Sequence, residues 1–363
     1  MEKDIKKVDS STEKSFIKRR IEIMGKRKFY LILFYIFLLA ILLIVATYAW
    51  FSTALNVQIR NFNVVAARNS GLTISYDAIN YGAYLDINED TIINNLDELY
   101  PTHTNRWASH GLVPVSTIGL SSNLNNRFSI YHSQGVFYRN YDLENPMIYA
   151  DKTKEEKPSK SSYFVAFDIF LKNDSGSPIA DNLFLTEQTF ARFNGEYGEE
   201  MNSLLNTTRF GFVKMGSVSH DTDPTVIQQM GCVGTCEQVI YEPNHDLHTD
   251  LSIENALDYG INLVDGQGFP TYAMIKDGGP IALKNAVSGS VLLDNNYFAL
   301  QDTITNNELN TPIMRIPDGI TKVRVYVWLE AQDIDSIETN STGADIELSI
   351  DFVKDTYGYD SFN

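Results

Sequence analysis

Residues 322–329 read KVRVYVWL, and apolar side chains occupy every second position of this stretch. Successive side chains of a β-strand point to opposite faces, so this period of two predicts a strand. Trp328 lies on the opposite face from the valines, and we expect it to be a core residue. Residues 346–352 (IELSIDF) repeat the alternation after a polar stretch. The two segments therefore predict a hairpin-like unit near the C-terminus.

Residues 163–171 (YFVAFDIFL) carry apolar side chains on both faces, which predicts a strand in the middle of a sheet. Strands dominate both ends of the chain after residue 51, and no alternation of strands with helices occurs. The sequence therefore predicts a mainly β domain, an antiparallel β-sandwich of jelly-roll type with a few short helices. Shorter strands are predicted at 55–59, 72–76, 183–185 and 209–213, a helix at 199–205, and a solvated loop at 150–162.

The N-terminal region has the pattern of a membrane-targeting segment. Residues 29–50 (FYLILFYIFLLAILLIVATYAW) contain no charge, and a membrane-spanning helix needs about 20 residues. Residues 1–28 carry ten Lys/Arg and five Asp/Glu, which predicts a cytoplasmic tail. We therefore expect a basic tail at 1–28, a transmembrane helix at 29–51 and an extracytoplasmic domain at 52–363, with a large insertion near 186–317.

The fate of the apolar segment has two interpretations. It is longer than the apolar stretch of about 7–15 residues in a cleaved signal peptide, which favours a signal-anchor. However, Thr47 and Ala49 are small residues two apart, directly before Trp50, as signal peptidases accept. The sequence leaves open both a single-pass membrane protein with an extracellular C-terminal domain and a secreted protein.

Charge is distributed unevenly along the chain. Subtracting the tail's charged residues from totals of 29 Lys/Arg and 46 Asp/Glu leaves 19 basic and 41 acidic residues, a net charge of −22. Such a domain repels phosphates, so we expect no nucleic-acid partner. Cations, calcium included, are its natural counter-ions.

Residues 86–97 (DINEDTIINNLD) have a spacing of oxygen side chains that is similar to EF-hand calcium loops. Thr91 replaces the usual turn glycine, and the last position holds Asp rather than a bidentate Glu. An acidic helix start or loop is therefore the alternative to a calcium site. The candidate ligands are Asp86, Asn88, Asp90, Asn94 and Asp97.

The chain has only two cysteines, Cys232 and Cys236. In an oxidising exterior they predict a local disulfide. A metal pair or a redox pair is the alternative, although redox pairs normally have Cys-x-x-Cys spacing. A loop this short gains little chain-entropy stabilisation, so the fold must depend on its core.

Motifs for catalysis are missing from the sequence. His245 and His248 form the only close histidine pair, and they lack the His-Glu-x-x-His pattern of zinc peptidases. Neither a Gly-x-Ser-x-Gly elbow nor a phosphate-binding loop occurs. Asp333 and Asp335 are interpreted as solvated loop charges. These features predict a protein that is not an enzyme, with a cell-envelope hydrolase as an alternative.

Residues 46–52 (ATYAWFS) resemble the leader boundary of the TasA and camelysin group of exported Gram-positive proteins. The resemblance implies a jelly-roll-like sandwich, secretion, and assembly into extracellular-matrix fibres, as in biofilms, in which the N-terminal strand completes a neighbouring subunit's sheet. Further similar stretches are SGLTIS at 70–75, LVPVST at 112–117, YFVAFDIFLKN at 163–173, VIYEPN at 239–244, and YVWLE at 326–330 followed by Asp333 and Asp335.

Three functions are consistent with these features. The first is a non-enzymatic cell-surface or extracellular-matrix structural protein that contacts other surface proteins or copies of itself. The second is a membrane-tethered module that binds glycan or peptide through calcium, its only cofactor, or through exposed aromatic side chains. The third is the cell-envelope hydrolase.

Overall fold

A computed structural model describes two compact units, Met1–Ala54 and Leu55–Asn363. In the first unit it describes Phe34, Tyr35 and Phe37, which are helical and exposed. None of the helices among the described residues has the length and hydropathy to cross a membrane. The predicted segment at 29–51 otherwise lies outside them. In the second unit the structure describes residues 58–66, 71–88, 91, 111–112, 114–117, 119, 128, 130–133, 147–148, 150–152, 163–197, 202–245, 248–250, 252–254, 281–282, 301–331, 333, 335–336 and 344–355.

The described part of the second unit is mainly β, with a few short helices. Its helices include α1 (Asn202–Asn206) and α2 (Pro224–Gln229). Its strands are β1 (Gln58–Ala66), β2 (Leu72–Ser75), β3 (Tyr84–Ile87), β4 (Tyr131–Ser133), β5 (Met147–Ile148), β6 (Ala150–Lys152), β7 (Val165–Asn173), β8 (Asp181–Leu185), β9 (Phe190–Phe193), β10 (Thr208–Val218), β11 (Gln238–Glu242), β12 (Ile281–Ala282), β13 (Thr303–Thr305), β14 (Met314–Ile316), β15 (Gly319–Leu329) and β16 (Asp345–Asp355).

Two six-stranded sheets organise the unit. The first sheet has the order β14-β8-β16-β1-β3, with β9 also paired to β16, and the second has the order β13-β11-β10-β15-β7-β2. Most pairs are antiparallel, but β1 pairs β16 in parallel and β11 pairs β13 in parallel. Both sheets are therefore mixed, which differs from the purely antiparallel arrangement that the sequence predicted. Two smaller two-stranded sheets pair β4 with β6 and β5 with β12.

The strand predictions at 163–171 and 322–329 are confirmed. They correspond to β7 and β15, which lie side by side in the second sheet. Every residue of β15 is buried, Trp328 included. Alternation in sequence therefore identified the two strands.

The predicted C-terminal hairpin is wrong. β15 lies in the second sheet between β10 and β7, whereas β16 lies in the first sheet between β8 and β1. Alternation with a period of two indicates which side chains share a face of a strand. It does not indicate which other strand is the hydrogen-bonding partner. β15 and β16 therefore pair with other strands and not with each other.

Aromatic rings from the two sheets meet in one hydrophobic core. The ring centroid of Phe62 on β1 is 5.0 Å from that of Phe167 on β7 and 5.9 Å from that of Phe210 on β10. A second cluster covers the other face of the second sheet, where the rings of Phe128 and Tyr326 stack at 4.5 Å. The second sheet is thus covered on both faces, which explains why β15 is buried throughout.

Several local predictions can be compared with these elements. The stretch 186–317, predicted as an insertion, supplies β9 and β14 to the first sheet and β10, β11 and β13 to the second. The predicted loop at 150–162 begins as strand β6, so its first three residues were misassigned. In β1 the register shifts between Ile59 and Phe62, which interrupts the alternation that begins at residue 55.

Candidate functional site

A heavily charged interior site surrounds Arg209, which is fully buried near the start of β10. Its guanidinium contacts a carboxylate oxygen of Asp333 and lies 3.1 Å from Oε1 of Glu242 on β11. Arg209 Nε also donates to Oε1 of Gln301 over 3.2 Å. A buried charge is tolerated only when it is paired and hydrogen-bonded, and Arg209 meets both conditions.

Glu330 extends this network beyond the guanidinium. Its Oε2 accepts hydrogen bonds from Nε1 of Trp328 and Nε2 of Gln301, both over 3.0 Å. Gln301 Nε2 also donates to the carbonyl oxygen of Thr117 over 2.6 Å. The indole of β15 and the amide of Gln301 therefore hold the Glu330 carboxylate next to the arginine.

Two histidines complete the site. His248 Nδ1 lies 2.7 Å from Oδ2 of Asp335, and His245 Nδ1 lies 3.3 Å from Oε2 of Glu242. Burial opposes protonation of His248, but the hydrogen bond and charge of Asp335 outweigh it and raise the pKa of His248. Burial raises the pKa of Asp335 to about 6, against the hydrogen bond from His248. One proton is therefore held between these two side chains.

The electrostatics of the site depend on Arg209 remaining charged. Burial alone would lower the pKa of its guanidinium, but the surrounding carboxylates raise it. These carboxylates belong to Glu242, Glu330 and Asp333. The arrangement can neutralise buried carboxylates and hold one proton, and most of its polar groups are hydrogen-bonded or ion-paired to one another.

The sequence prediction for Asp333 and Asp335 is wrong. Instead of carrying solvated loop charges, their residues are 7 % and 0 % exposed. The chain turns after β15, the backbone amide of Asp335 donates to Oδ1 of Asp333 over 3.0 Å, and the turn lies over Arg209. The sequence feature that indicates this burial is Arg209, a single charge beside the apolar run FGFV of β10. A charge buried with such a run requires acidic partners in the interior.

A second buried ion cluster lies on the second sheet. Arg324 on β15 binds both oxygens of Asp168 on β7, at 2.8 and 3.1 Å. Lys322 Nζ lies 3.3 Å from the same carboxylate and donates to the carbonyl oxygens of Gln228 and Met230 over 2.6 and 2.8 Å. Burial lowers the pKa of Lys322 to about 8. These contacts fasten the end of α2 to β15.

The predicted calcium ligands are described only in part. Asp86 lies in β3 with an exposed side chain. Asn88 Oδ1 accepts hydrogen bonds from the backbone amide and the hydroxyl of Thr91, over 3.0 and 3.1 Å. Asp90, Asn94 and Asp97 lie outside the described residues. Within the described ranges, no group of three or more His, Cys, Asp or Glu side chains is arranged to hold a metal ion.

The structure joins Cys232 and Cys236 in a disulfide with a Cα–Cα distance of 5.9 Å. The bridge closes a small loop between α2 and β11, and Val233 at its tip is 91 % exposed. The candidate signal-peptidase residues Thr47, Ala49 and Trp50 lie outside the described residues.

The structure therefore gathers residues that the sequence treated separately. The histidine pair, the aspartate pair and the glutamate of VIYEPN all meet around Arg209. No protein-family model matches the chain, and comparisons with curated proteins and with solved structures found no significant match. The resemblance to the TasA and camelysin group stays a prediction.

Proposed function

We propose that this chain is a non-enzymatic structural protein of the cell surface or extracellular matrix, delivered through the membrane by residues 29–51 and assembled through its sheets. Its two sheets form a closed, jelly-roll-like sandwich around the shared aromatic core. Its partners are further copies of the chain and other surface proteins.

The observation that carries this proposal is the position of β1. Among the described residues it is the first strand after the apolar segment, and it lies inside the first sheet between β16 and β3. The N-terminal strand thus completes the same sheet as the C-terminal strand, through a parallel pairing that runs from Gln58 to Ala66. A strand in this position can be exchanged with a neighbouring copy, because the same hydrogen bonds form within or between chains.

The buried ion clusters support a structural role. The ionisable groups around Arg209 and Arg324 are held by one another in the interior. Polar groups that turn over a substrate must be able to meet that substrate, whereas groups that satisfy one another in a core specify packing. The charge inside this domain therefore fits a stable building unit.

The exchange of β1 can be tested with an engineered disulfide. Asn63 on β1 and Ser349 on β16 are direct partners in the register, so cysteines at both positions tie β1 to its own chain. We expect the full chain to form fibres under the electron microscope, and the Asn63→Cys/Ser349→Cys variant to form them only when reduced.

A matched control ties β16 to a different neighbour. Arg192 on β9 and Glu347 on β16 are also register partners, so Arg192→Cys/Glu347→Cys adds a cross-link without restraining β1. The control should form fibres in both redox states. A wild-type chain that stays monomeric would contradict assembly, and fibres from the oxidised Asn63/Ser349 variant would contradict strand exchange.

A calcium-dependent binding module is the second candidate. The observation in its favour is the exposed carboxylate of Asp86 at the start of the acidic stretch. Bound calcium should raise the melting temperature of the full chain, and the rise should be lost in Asp86→Ala/Asp90→Ala. A melting temperature that is the same with and without calcium would contradict this function.

A further inference from the structure

Three chemically complementary side chains meet in the interior where the two sheets adjoin. Asn173 ends β7 of the second sheet, whereas Asp181 begins β8 and Lys354 lies near the end of β16, both in the first sheet. Asn173 and Asp181 are fully buried, and the side chain of Lys354 is 5 % exposed. An amine, a carboxamide and a carboxylate therefore share one site shielded from water.

Their contacts bring the amine close to the carbonyl group of the amide. Lys354 Nζ lies 2.5 Å from Oδ1 of Asn173. This contact and a C=O bond of about 1.23 Å place Nζ within about 3.7 Å of the amide carbon Cγ. Reacting atoms held at about 3–3.5 Å are near the geometry of attack, so only a small movement is required.

Asp181 is placed to move the protons. Its Oδ2 lies 3.0 Å from Lys354 Nζ and 3.1 Å from Nδ2 of Asn173, so one oxygen touches both the nucleophile and the leaving group. The carbonyl oxygens of Ile316 and Pro317 accept from the same Nδ2 over 3.2 and 3.3 Å, which fixes the orientation of the amide. A positioned carboxylate within hydrogen-bond reach of both nitrogens satisfies the geometric requirement for a general base and acid.

The second oxygen of Asp181 supports this assignment. Oδ1 is buried and has no hydrogen-bond partner among the described residues. A carboxylate oxygen has lone pairs that accept a hydrogen bond or bind a proton, and this oxygen has no other described group to engage them. Oδ1 is therefore open to carry a transferred proton while Oδ2 keeps its contacts with both nitrogens.

We propose that Lys354 and Asn173 form an intramolecular isopeptide bond, with Asp181 as the catalytic residue. Asp181 takes a proton from the Lys354 ammonium, and the freed Nζ lone pair attacks Cγ of Asn173. Asp181 then returns its proton to Nδ2 and takes another from Nζ, and the Cγ–Nδ2 bond breaks. The departing ammonia takes the last proton from Asp181 and leaves as ammonium, which regenerates the carboxylate. The ammonium and the amide become a secondary amide and an ammonium ion, so the reaction needs no oxidant, reductant or co-reactant.

The ion cluster on β7 and β15 shows why this chemistry is specific to the site where Lys354 meets Asn173. Lys322 Nζ also touches a buried carboxylate, that of Asp168, but Arg324 binds both oxygens of that group. A carboxylate held ionised by a guanidinium is a poor electrophile and has no amine to release. Of these two buried lysines, the one beside Asn173 meets a carboxamide and a separate proton carrier.

The bond would join the two sheets covalently. Residues 173 and 354 are 181 positions apart in sequence, and they lie on β7 in the second sheet and β16 in the first. A cross-link that closes so long a loop removes more unfolded-state entropy than a short one. It would also keep the C-terminal strand attached under mechanical load, whether or not the chain assembles into fibres.

Intact-mass spectrometry of the purified full chain tests the proposal. After allowance for the two hydrogens lost at the Cys232–Cys236 disulfide, we expect the folded chain to be lighter than its sequence by one ammonia. Tryptic digestion should yield a branched peptide that joins Asn173 to Lys354, with no cleavage after the acylated lysine. A folded wild-type chain at its full sequence mass, or an ammonia loss that maps to a linear peptide, would overturn the proposal.

Two variants test the nucleophile and the proton carrier separately. Lys354→Arg removes the nucleophile and keeps a cation, and Asp181→Asn removes the carboxylate with little change in shape, so both folded variants should retain the full mass. Lys172→Arg is the matched control, because Lys172 is a partly exposed neighbour that pairs with Asp174 at 3.4 Å, and it should still lose ammonia. A branched peptide in folded Asp181→Asn would overturn the role of Asp181.

Discussion

At the scale of single residues, the main feature of this protein is a buried arginine that pairs with carboxylates from distant parts of the chain. Arg209 and Asp333 are 124 positions apart in sequence. Local pattern identified the strand at 209–213, but it contained no information about which acids would lie near the arginine. The aspartates were expected in water because charge in a loop is usually solvated, and their burial is understandable only once β10 and the end of β15 are neighbours.

Removing the arginine should destabilise the fold strongly. Arg209→Met leaves buried carboxylates without their cation, and breaking a buried pair in this way costs about 3–5 kcal/mol. Urea unfolding of the full chain measures the loss. Arg192→Met is the control, because its pair with Glu347 is largely exposed and should contribute less than about 1 kcal/mol. Equal losses in the two variants would refute the structural importance of the Arg209 site.

The proton held by His248 and Asp335 should make stability depend on pH. The folded-state pKa of His248 is raised, so its contribution is present below the unfolded value of about 6.5 and is lost as pH rises through the folded value. Asp335 acts in the same direction, because its folded pKa of about 6 exceeds the unfolded value of about 3.9.

We therefore expect the site to contribute less to the free energy of unfolding at about pH 8 than at about pH 6. The measurement is denaturant unfolding at both pH values for wild type and His248→Gln. The variant should show a smaller difference between them. A difference unchanged by the substitution would show that other groups control the pH dependence.

At the scale of elements, the sequence predicted strands better than it predicted their partners. β7 and β15 were recognisable because their apolar positions are continuous or strictly alternating. The pairing of β16 with β1 was not recognisable, because the two strands come from opposite ends of the unit and share no turn signal. The register shift within β1 between Ile59 and Phe62 was also not predictable from the sequence, because a bulge depends on the partner strand.

Close packing over β10 gives a test at this scale. A Cβ added at Gly211 would overlap the ring of Phe128 and lie 3.1 Å from Cζ3 of Trp328. Gly211→Ala should therefore lower the free energy of unfolding by about 1–3 kcal/mol, as overpacking of a core does. Gly82→Ala is the matched control, because its Cβ would meet Tyr84 backbone atoms only at 3.6 Å and beyond. Thermal unfolding that shows the same small effect for both would contradict the close packing.

At the scale of the whole molecule, the N-terminal segment and the first sheet are directly connected in sequence. On the proposed export route, residues 58–66 leave the membrane before residues 345–355, so β1 obtains its parallel partner only after the rest of the chain has followed. In the proposed assembly, this delay leaves β1 available to another copy. The mainly β class was predictable from the sequence, whereas the mixed strand order was not, because long-range pairing is a property of the complete chain.

In the proposed function, the domain acts outside the cell as an assembled structural protein. Immunogold electron microscopy of intact cells that produce the full chain with a C-terminal epitope tests location and assembly together. We predict gold particles on the outer face of the cells and along fibres that extend from them. Label confined to the cell interior, or external label without any fibre, would contradict the account.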